Sequence, residues 1–169
     1  MEERLRYILT SVNEWLKFAE GKNGALLVAD IAILFGVFRL MNEFTDQRVF
    51  IYLGIFLVIV SAISSLVSFI PQLKVSSSTP KKRTEKEASL IFYGHIAKYE
   101  AQSYIEALYA ESGSEPTSIA PIEVDYAQQI IMNSRIAVRK YLCFNVGLWL
   151  TVFALLFLLV ASLMSVIAV

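Results

Sequence analysis

The stretch Tyr141 to Val169, YLCFNVGLWLTVFALLFLLVASLMSVIAV, decides the class of this chain, because its 29 residues include no charge. A hydrocarbon core of ~30 Å needs ~20 helical residues at ~1.5 Å each. Two further stretches meet that requirement. Val49 to Gln72 carries no charge, and Gly24 to Arg39 is apolar apart from Asp30 and the closing arginine. Hydrophobic residues make up 56 % of the chain and mean hydropathy is +0.58, well above a soluble domain. The expected fold is an all-α integral membrane protein with three spans, 24–41, 49–71 and 141–169.

Net charge is zero, but the charges are unevenly placed. Arg4, Arg6, Lys17 and Lys22 precede the first span, and Lys74, Lys81, Lys82, Arg83, Lys86, Lys98, Arg135, Arg139 and Lys140 lie between the second and third. The short 42–48 loop holds only Arg48. Basic residues near span ends set orientation. The N-terminus and the 73–140 insert are therefore expected in the cytoplasm, with the 42–48 loop and the C-terminus on the far side of the membrane. The opening residues do not read as a secretory signal, since a charged amphipathic helix precedes the first apolar run. A lone cysteine, Cys143, excludes an internal disulfide and a cysteine-based metal site.

Residues 1–23 read as an amphipathic interfacial helix, with Leu5, Ile8, Leu9, Val12, Trp15, Leu16 and Ala19 on one stripe. Gly21 to Gly24 marks where the first span begins. Pro71 punctuates the second, and 75–86 reads as a polar linker. Residues 87–111 form a second amphipathic pattern. A last helix starts near Glu123 and meets no breaker before the third span, so one helix is expected to run from cytoplasm into lipid. An insert of two helices buries little core by itself. Packing between subunits would supply the rest, which favours a homo-oligomer, with four subunits the easiest arrangement.

Few residues carry candidate chemistry. Asp30, inside span one, costs ~2.5–3.5 kcal/mol if left bare at the bilayer centre. It reads either as part of a carboxylate ring facing a pore, or as a partner of Lys22 or of a serine in span two. Ser61, Ser65 and Ser68, with Gly54, share a face of span two that suits close helix packing or a water path. Ala25, Ala29, Ala32 and Gly36 make a similar small-residue stripe on span one. The basic sets Lys81, Lys82, Arg83, Lys86 and Arg135, Arg139, Lys140 read as topology determinants, or as a site for a phosphorylated ligand gathered around an oligomer axis. His95, the sole histidine, has no nucleophile or second ligand in its neighbourhood of sequence, and no carboxylate pair suggests acid–base or metal chemistry. No cofactor and no enzymatic activity are expected. A non-conducting anchor that recruits a soluble partner is the alternative to a pore.

Three stretches together, Trp15–Leu27 (WLKFAEGKNGALL), Ile91–Lys98 (IFYGHIAK) and Gln128–Tyr141 (QQIIMNSRIAVRKY), resemble the transmembrane effector domain of Pycsar-type bacterial anti-phage defence, similar in scale to the membrane effector of the Hailong system. Glu20, Lys22 and Asn23 match that family's acidic-x-Lys-Asn/Ala pattern at the mouth of span one. The resemblance implies an oligomeric effector that perturbs the membrane when infection changes a nucleotide signal made by a cyclase or nucleotidyltransferase. No cyclic-nucleotide-binding domain is expected in these residues. A nucleotide or short single-stranded oligonucleotide would then bind the insert, the membrane mouth or another polypeptide.

Overall fold

The computed structural model describes residues 1–40, 48–71, 89–114 and 118–167, and within them every regular element is an α-helix. The helices are α1 (Glu2–Leu40), α2 (Arg48–Phe69), α3 (Tyr93–Ile96), α4 (Ala101–Glu111) and α5 (Pro121–Ile167). Three of them, α1, α2 and α5, are long and apolar enough to cross a membrane. The protein is an all-α integral membrane protein. The linker proposed at 75–86, with Lys81, Lys82, Arg83 and Lys86, lies outside the described residues.

The amphipathic N-terminal segment and the first span form one unbroken helix of 39 residues. Gly21 and Gly24 do not interrupt it. Each costs ~1 kcal/mol in a helix, whereas a backbone break near lipid leaves N–H and C=O groups without water. Helix α2 ends at Phe69, two residues before Pro71, as the restriction on residues preceding proline requires. Helix α5 runs 47 residues without interruption from Pro121, the fixed φ of proline suiting a first helical position.

The pattern over 87–111 does not form the single helix expected. The described part gives α3, then an extended Glu100 (φ −98°, ψ 156°), then α4. Arg135 explains the break. Its Nε donates to the Ala97 carbonyl (2.9 Å) and its Nη2 to the Tyr99 carbonyl (3.1 Å). Those two carbonyls would accept i+4 amide protons if the helix continued. One guanidinium therefore replaces two helical bonds.

The chain divides into two compact units. The first comprises Met1–Ala19 and Pro71–Lys140, the second Glu20–Ile70 and Tyr141–Val169. The first unit has an apolar core of Leu5, Ile8 and Val12 from α1, Ile105 and Leu108 from α4, Ala127, Ile130 and Ile131 from α5, with Leu90, Ile96, Tyr99 and Tyr104. Within the chain, α1 thus supplies the insert with a further helix to pack against. Polar contacts close its edges. The Tyr104 hydroxyl donates to the Leu90 carbonyl at 2.7 Å, Asn133 Nδ2 donates to Asn13 Oδ1 at 2.7 Å, and Arg4 pairs with Glu111.

The second unit packs the membrane-spanning parts of α1, α2 and α5. Its helices approach closely at glycines. A Cβ on Gly54 would lie 2.9 Å from Leu158 Cγ, and one on Gly147 would lie 2.9 Å from Leu26 Cδ2 and 3.2 Å from Ser61 Oγ. Small residues at such crossings are the usual device of helix packing in lipid.

Candidate functional site

The one carboxylate in the spans is fully buried among the helices of the second unit. Asp30 reaches this position because α1 turns residues 23, 26 and 30 inward, at helical spacing, while Val28 and Ile31 face outward. Its two oxygens are each met by a hydroxyl. Ser61 of α2 donates to Oδ2 at 2.7 Å, and Thr151 of α5 donates to Oδ1 at 2.7 Å. Ser61 Oγ also lies 2.8 Å from Thr151 Oγ1 and 2.9 Å from the Gly147 carbonyl, which Thr151 Oγ1 approaches at 3.1 Å. Each hydroxyl has a single proton. The node therefore offers more acceptors than its two hydroxyls can serve at once. It joins all three spans, α5 contributing the Gly147 carbonyl and, four residues on, the Thr151 hydroxyl, and Gly147 leaves room for Ser61.

The structure sorts the residues expected at an ion path. Asp30, Ser61 and Ser65 are fully buried within one chain, and Ser68 nearly so, its hydroxyl donating to the Ser65 carbonyl at 2.7 Å. None presents itself on the outer face of this unit, so in this conformation Asp30 does not face a lumen as a ring of carboxylates would. Asp30 takes a serine of span two as its partner. Lys22 instead places Nζ over the rings of Tyr141 (5.6 Å) and Phe144 (5.2 Å), a cation–π arrangement at the start of the span. Asn23 beside it is fully buried, while Glu20 is exposed.

Of the expected basic cluster, Arg135, Arg139 and Lys140 lie on α5. Arg135 is committed to the Ala97 and Tyr99 carbonyls. Lys140 is buried and Arg139 half-buried. A side chain wrapped around two backbone carbonyls has fewer donors for a phosphate, so Arg135 is a structural clamp. His95 is structural as well. Its Nδ1 accepts the Ser89 N–H at 3.0 Å, while Ser89 Oγ accepts the amides of Ile91 and Phe92 at 3.2 and 3.1 Å. Among the described residues no group of three or more His, Cys, Asp or Glu side chains converges as a metal site would.

Thr151 and Gly147 belong to the node, yet sequence reasoning did not single them out. The available signal was a hydroxyl four residues after a glycine inside an otherwise uniformly apolar run. Thr151 needed a partner on another helix to be read as anything but a tolerated threonine.

Three spans closed around one hydrogen-bonded carboxylate define a class: a small helical membrane protein with a polar node buried between its spans. The profile of the Pycsar effector protein domain, PycTM, matches residues 4–167, and the chain belongs to that family of transmembrane effectors of anti-phage defence. The Pycsar effector protein PtPycTM of Propioniciclava tarda is similar, with 27 % identity over 145 residues that cover 82 % of this chain and 67 % of that protein. No solved structure matches the chain significantly.

Proposed function

We propose that this effector acts as a homo-oligomeric pore, sealed in the conformation described and opened by a nucleotide or oligonucleotide signal from a cyclase or nucleotidyltransferase partner. The N-terminus and residues 73–140 lie in the cytoplasm of the bacterium, the spans in its inner membrane and the C-terminus in the periplasm. The observation that carries the reading is the contrast between two small-residue stripes. The α2 stripe of Gly54, Ser61, Ser65 and Ser68 is consumed inside the chain, whereas Ala25, Ala29, Ala32 and Gly36 of α1 face outward. A Cβ on Gly36 would meet nothing within 4 Å. That outward stripe supports close approach of a second copy.

The described outward faces of the spans offer little to a hydrated ion. Conduction then requires the spans to part enough to hydrate Asp30, Ser61 and Thr151, the hydrophilic node that the sealed state conceals. The hydrogen bonds shared among alternative acceptors make that node a place where two arrangements differ by little. Residues 20–23 and the exposed face of the 73–140 unit are where a signal or a partner polypeptide would act.

The direct test is reconstitution of the purified protein in planar bilayers with current recorded before and after cyclic nucleotides and short oligonucleotides are added on one side. Current altered by one of these ligands supports the pore. Oligomers that stay silent under every condition would replace it with a non-conducting anchor.

A further inference from the structure

The first unit hides most of its apolar side chains, with one concentrated exception. Trp15 and Phe18 of α1 are 42 % and 55 % exposed, and Ile91 and Phe92 are 51 % and 44 % exposed. The rings of Trp15, Tyr93 and Phe92 form a continuous surface. The Trp15 and Tyr93 centroids are 5.7 Å apart, and those of Phe92 and Tyr93 are 4.6 Å apart. The second half of this surface is held in shape. Ser89 caps the amides of Ile91 and Phe92, and His95 anchors Ser89 in turn while meeting the Phe92 ring edge-on at 5.3 Å. Gly94 lets that ring lie flat, since a Cβ there would fall 2.6 Å from Phe92 Cε1. An aromatic surface presented by a braced segment is a binding surface, not a frayed end.

What it binds follows from its place on α1. Arg39 is exposed at the other end of the same helix. Counting ~20 residues back from Arg39, the length that crosses a ~30 Å hydrocarbon core, reaches Glu20. Phe18 lies two residues before that boundary and Trp15 five, or ~3 and ~7 Å at ~1.5 Å per residue. The interfacial layer is ~5–7 Å deep on each side, and it is where tryptophan and tyrosine concentrate. Tyr7, thirteen residues before the boundary, is the most exposed aromatic of α1 in the first unit but lies ~20 Å out, beyond that layer.

We infer that Trp15, Phe18, Ile91, Phe92 and Tyr93 form a membrane-interface anchor that seats the first unit among phospholipid headgroups. The anchor is distinct from the spans and fixes the depth at which α1 leaves the bilayer. It recruits the 91–93 segment, remote in sequence from any span, into contact with lipid. It does not depend on whether the spans conduct.

The chain has two tryptophans, so Trp149→Phe leaves Trp15 as sole reporter. That variant is reconstituted into phosphatidylcholine vesicles with bromine placed near the carbonyl end or near the methyl end of the acyl chain. Expected is a loss of most Trp15 emission with the shallow bromine, a smaller loss with the deep one, and weak quenching by aqueous iodide. A tryptophan moved to position 7 in a Trp15→Phe, Trp149→Phe background should reverse the pattern. Iodide quenching of Trp15 without bromolipid quenching would place the surface in water. Protection from both would give it to a protein contact. Either result overturns the anchor. If the tryptophan variants do not fold, a nitroxide on Phe92→Cys in a Cys143→Ala background gives the same decision. Accessibility to oxygen above that to a polar nickel complex supports the anchor, and the reverse rejects it.

Discussion

The two units of this chain are built on opposite rules. The first buries Leu5, Ile8, Val12, Ile96, Ile105, Leu108 and Ile130. The second buries Asn23, Asp30, Ser61, Ser65, Ser68 and Thr151 beside Leu26, Ile51, Val58, Ala154 and Ala161, while Val28, Phe35, Phe38, Phe56, Leu66 and Trp149 are exposed. In water, removal of apolar surface from solvent is the main force for packing. In lipid that force vanishes between helices, because acyl chains are as apolar as leucine, and packing relies on small residues and interhelical hydrogen bonds. The contrast between the two cores therefore reports the solvent of each.

An aspartate introduced on an exposed aromatic position should have unequal effects in the two units, and this is the sharpest way to break the comparison. Phe56→Asp places a carboxylate on an outward face of α2, at a residue 59 % exposed. Tyr7→Asp does the same on α1 at a residue 71 % exposed. The first should cost ~2.5–3.5 kcal/mol of insertion free energy if Phe56 lies near the bilayer centre, and the second within about ±0.5 kcal/mol of folding stability. Glycosylation-based insertion assays read the former and denaturant unfolding the latter. Equal tolerance at both positions would mean that the exposed face of α2 does not meet lipid.

Arg135 tests whether charge in the first unit is architecture. Arg135→Ala removes two charge-assisted bonds to the Ala97 and Tyr99 carbonyls, which strands both groups. The expected loss is ~2–3 kcal/mol, with faster amide exchange across α3 and the start of α4. Arg135→Lys should recover little, because an ammonium cannot fork to two carbonyls in the same way. Unchanged exchange in the alanine variant would release Arg135 from the structural role and return it to the pool of candidate ligand contacts.

Ser61→Ala examines the second unit from inside. It removes one donor from Asp30 and leaves Oδ2 without the hydroxyl 2.7 Å away. A cost of ~1–2 kcal/mol is expected, measured by unfolding in bicelles, and Thr151→Val should be similar. The double variant should cost less than the sum, since both hydroxyls serve one carboxyl group. In the pore reading these variants weaken the seal, so they should also raise basal conductance. Strict additivity would show that the two bonds to Asp30 act independently.

Much of this arrangement was legible in the sequence, and the illegible parts share a cause. The spans could be read because uncharged runs such as Tyr141–Val169 have one physical solution in lipid. The bond from Ser61 to Asp30 was among the alternatives, since a serine stripe on the next span is the natural place for a donor. Thr151 was hidden because a threonine in an apolar run becomes polar machinery only through what stands opposite. The break after Ile96 was hidden for the same reason. Nothing in Ala97–Glu100 resembles a breaker, and the interruption is imposed by Arg135, far along the chain. Likewise the basic character of Arg135 suggested a ligand, and its bonds to the Ala97 and Tyr99 carbonyls had no mark in the local pattern. Local pattern reports solvent and period well. It does not report tertiary partners.

Tyr104 gives the smallest effect and separates the cores by pH. Its hydroxyl donates to the Leu90 carbonyl inside the first unit, and burial, the largest influence, raises its pKa well above the ordinary value of 10.0. The charged form of tyrosine is the deprotonated one. A folded pKa above the unfolded value therefore means that the stabilisation is complete below pH 10.0 and is lost as pH rises from there toward the folded pKa. Tyr104→Phe should cost ~0.5–1.5 kcal/mol at neutral pH through the lost bond, with part of the alkaline decline removed. Thermal unfolding of both proteins between neutral and strongly alkaline pH measures the difference. Curves that fall in parallel would assign the alkaline loss to other groups, and any constant offset between them would measure the bond to the Leu90 carbonyl alone.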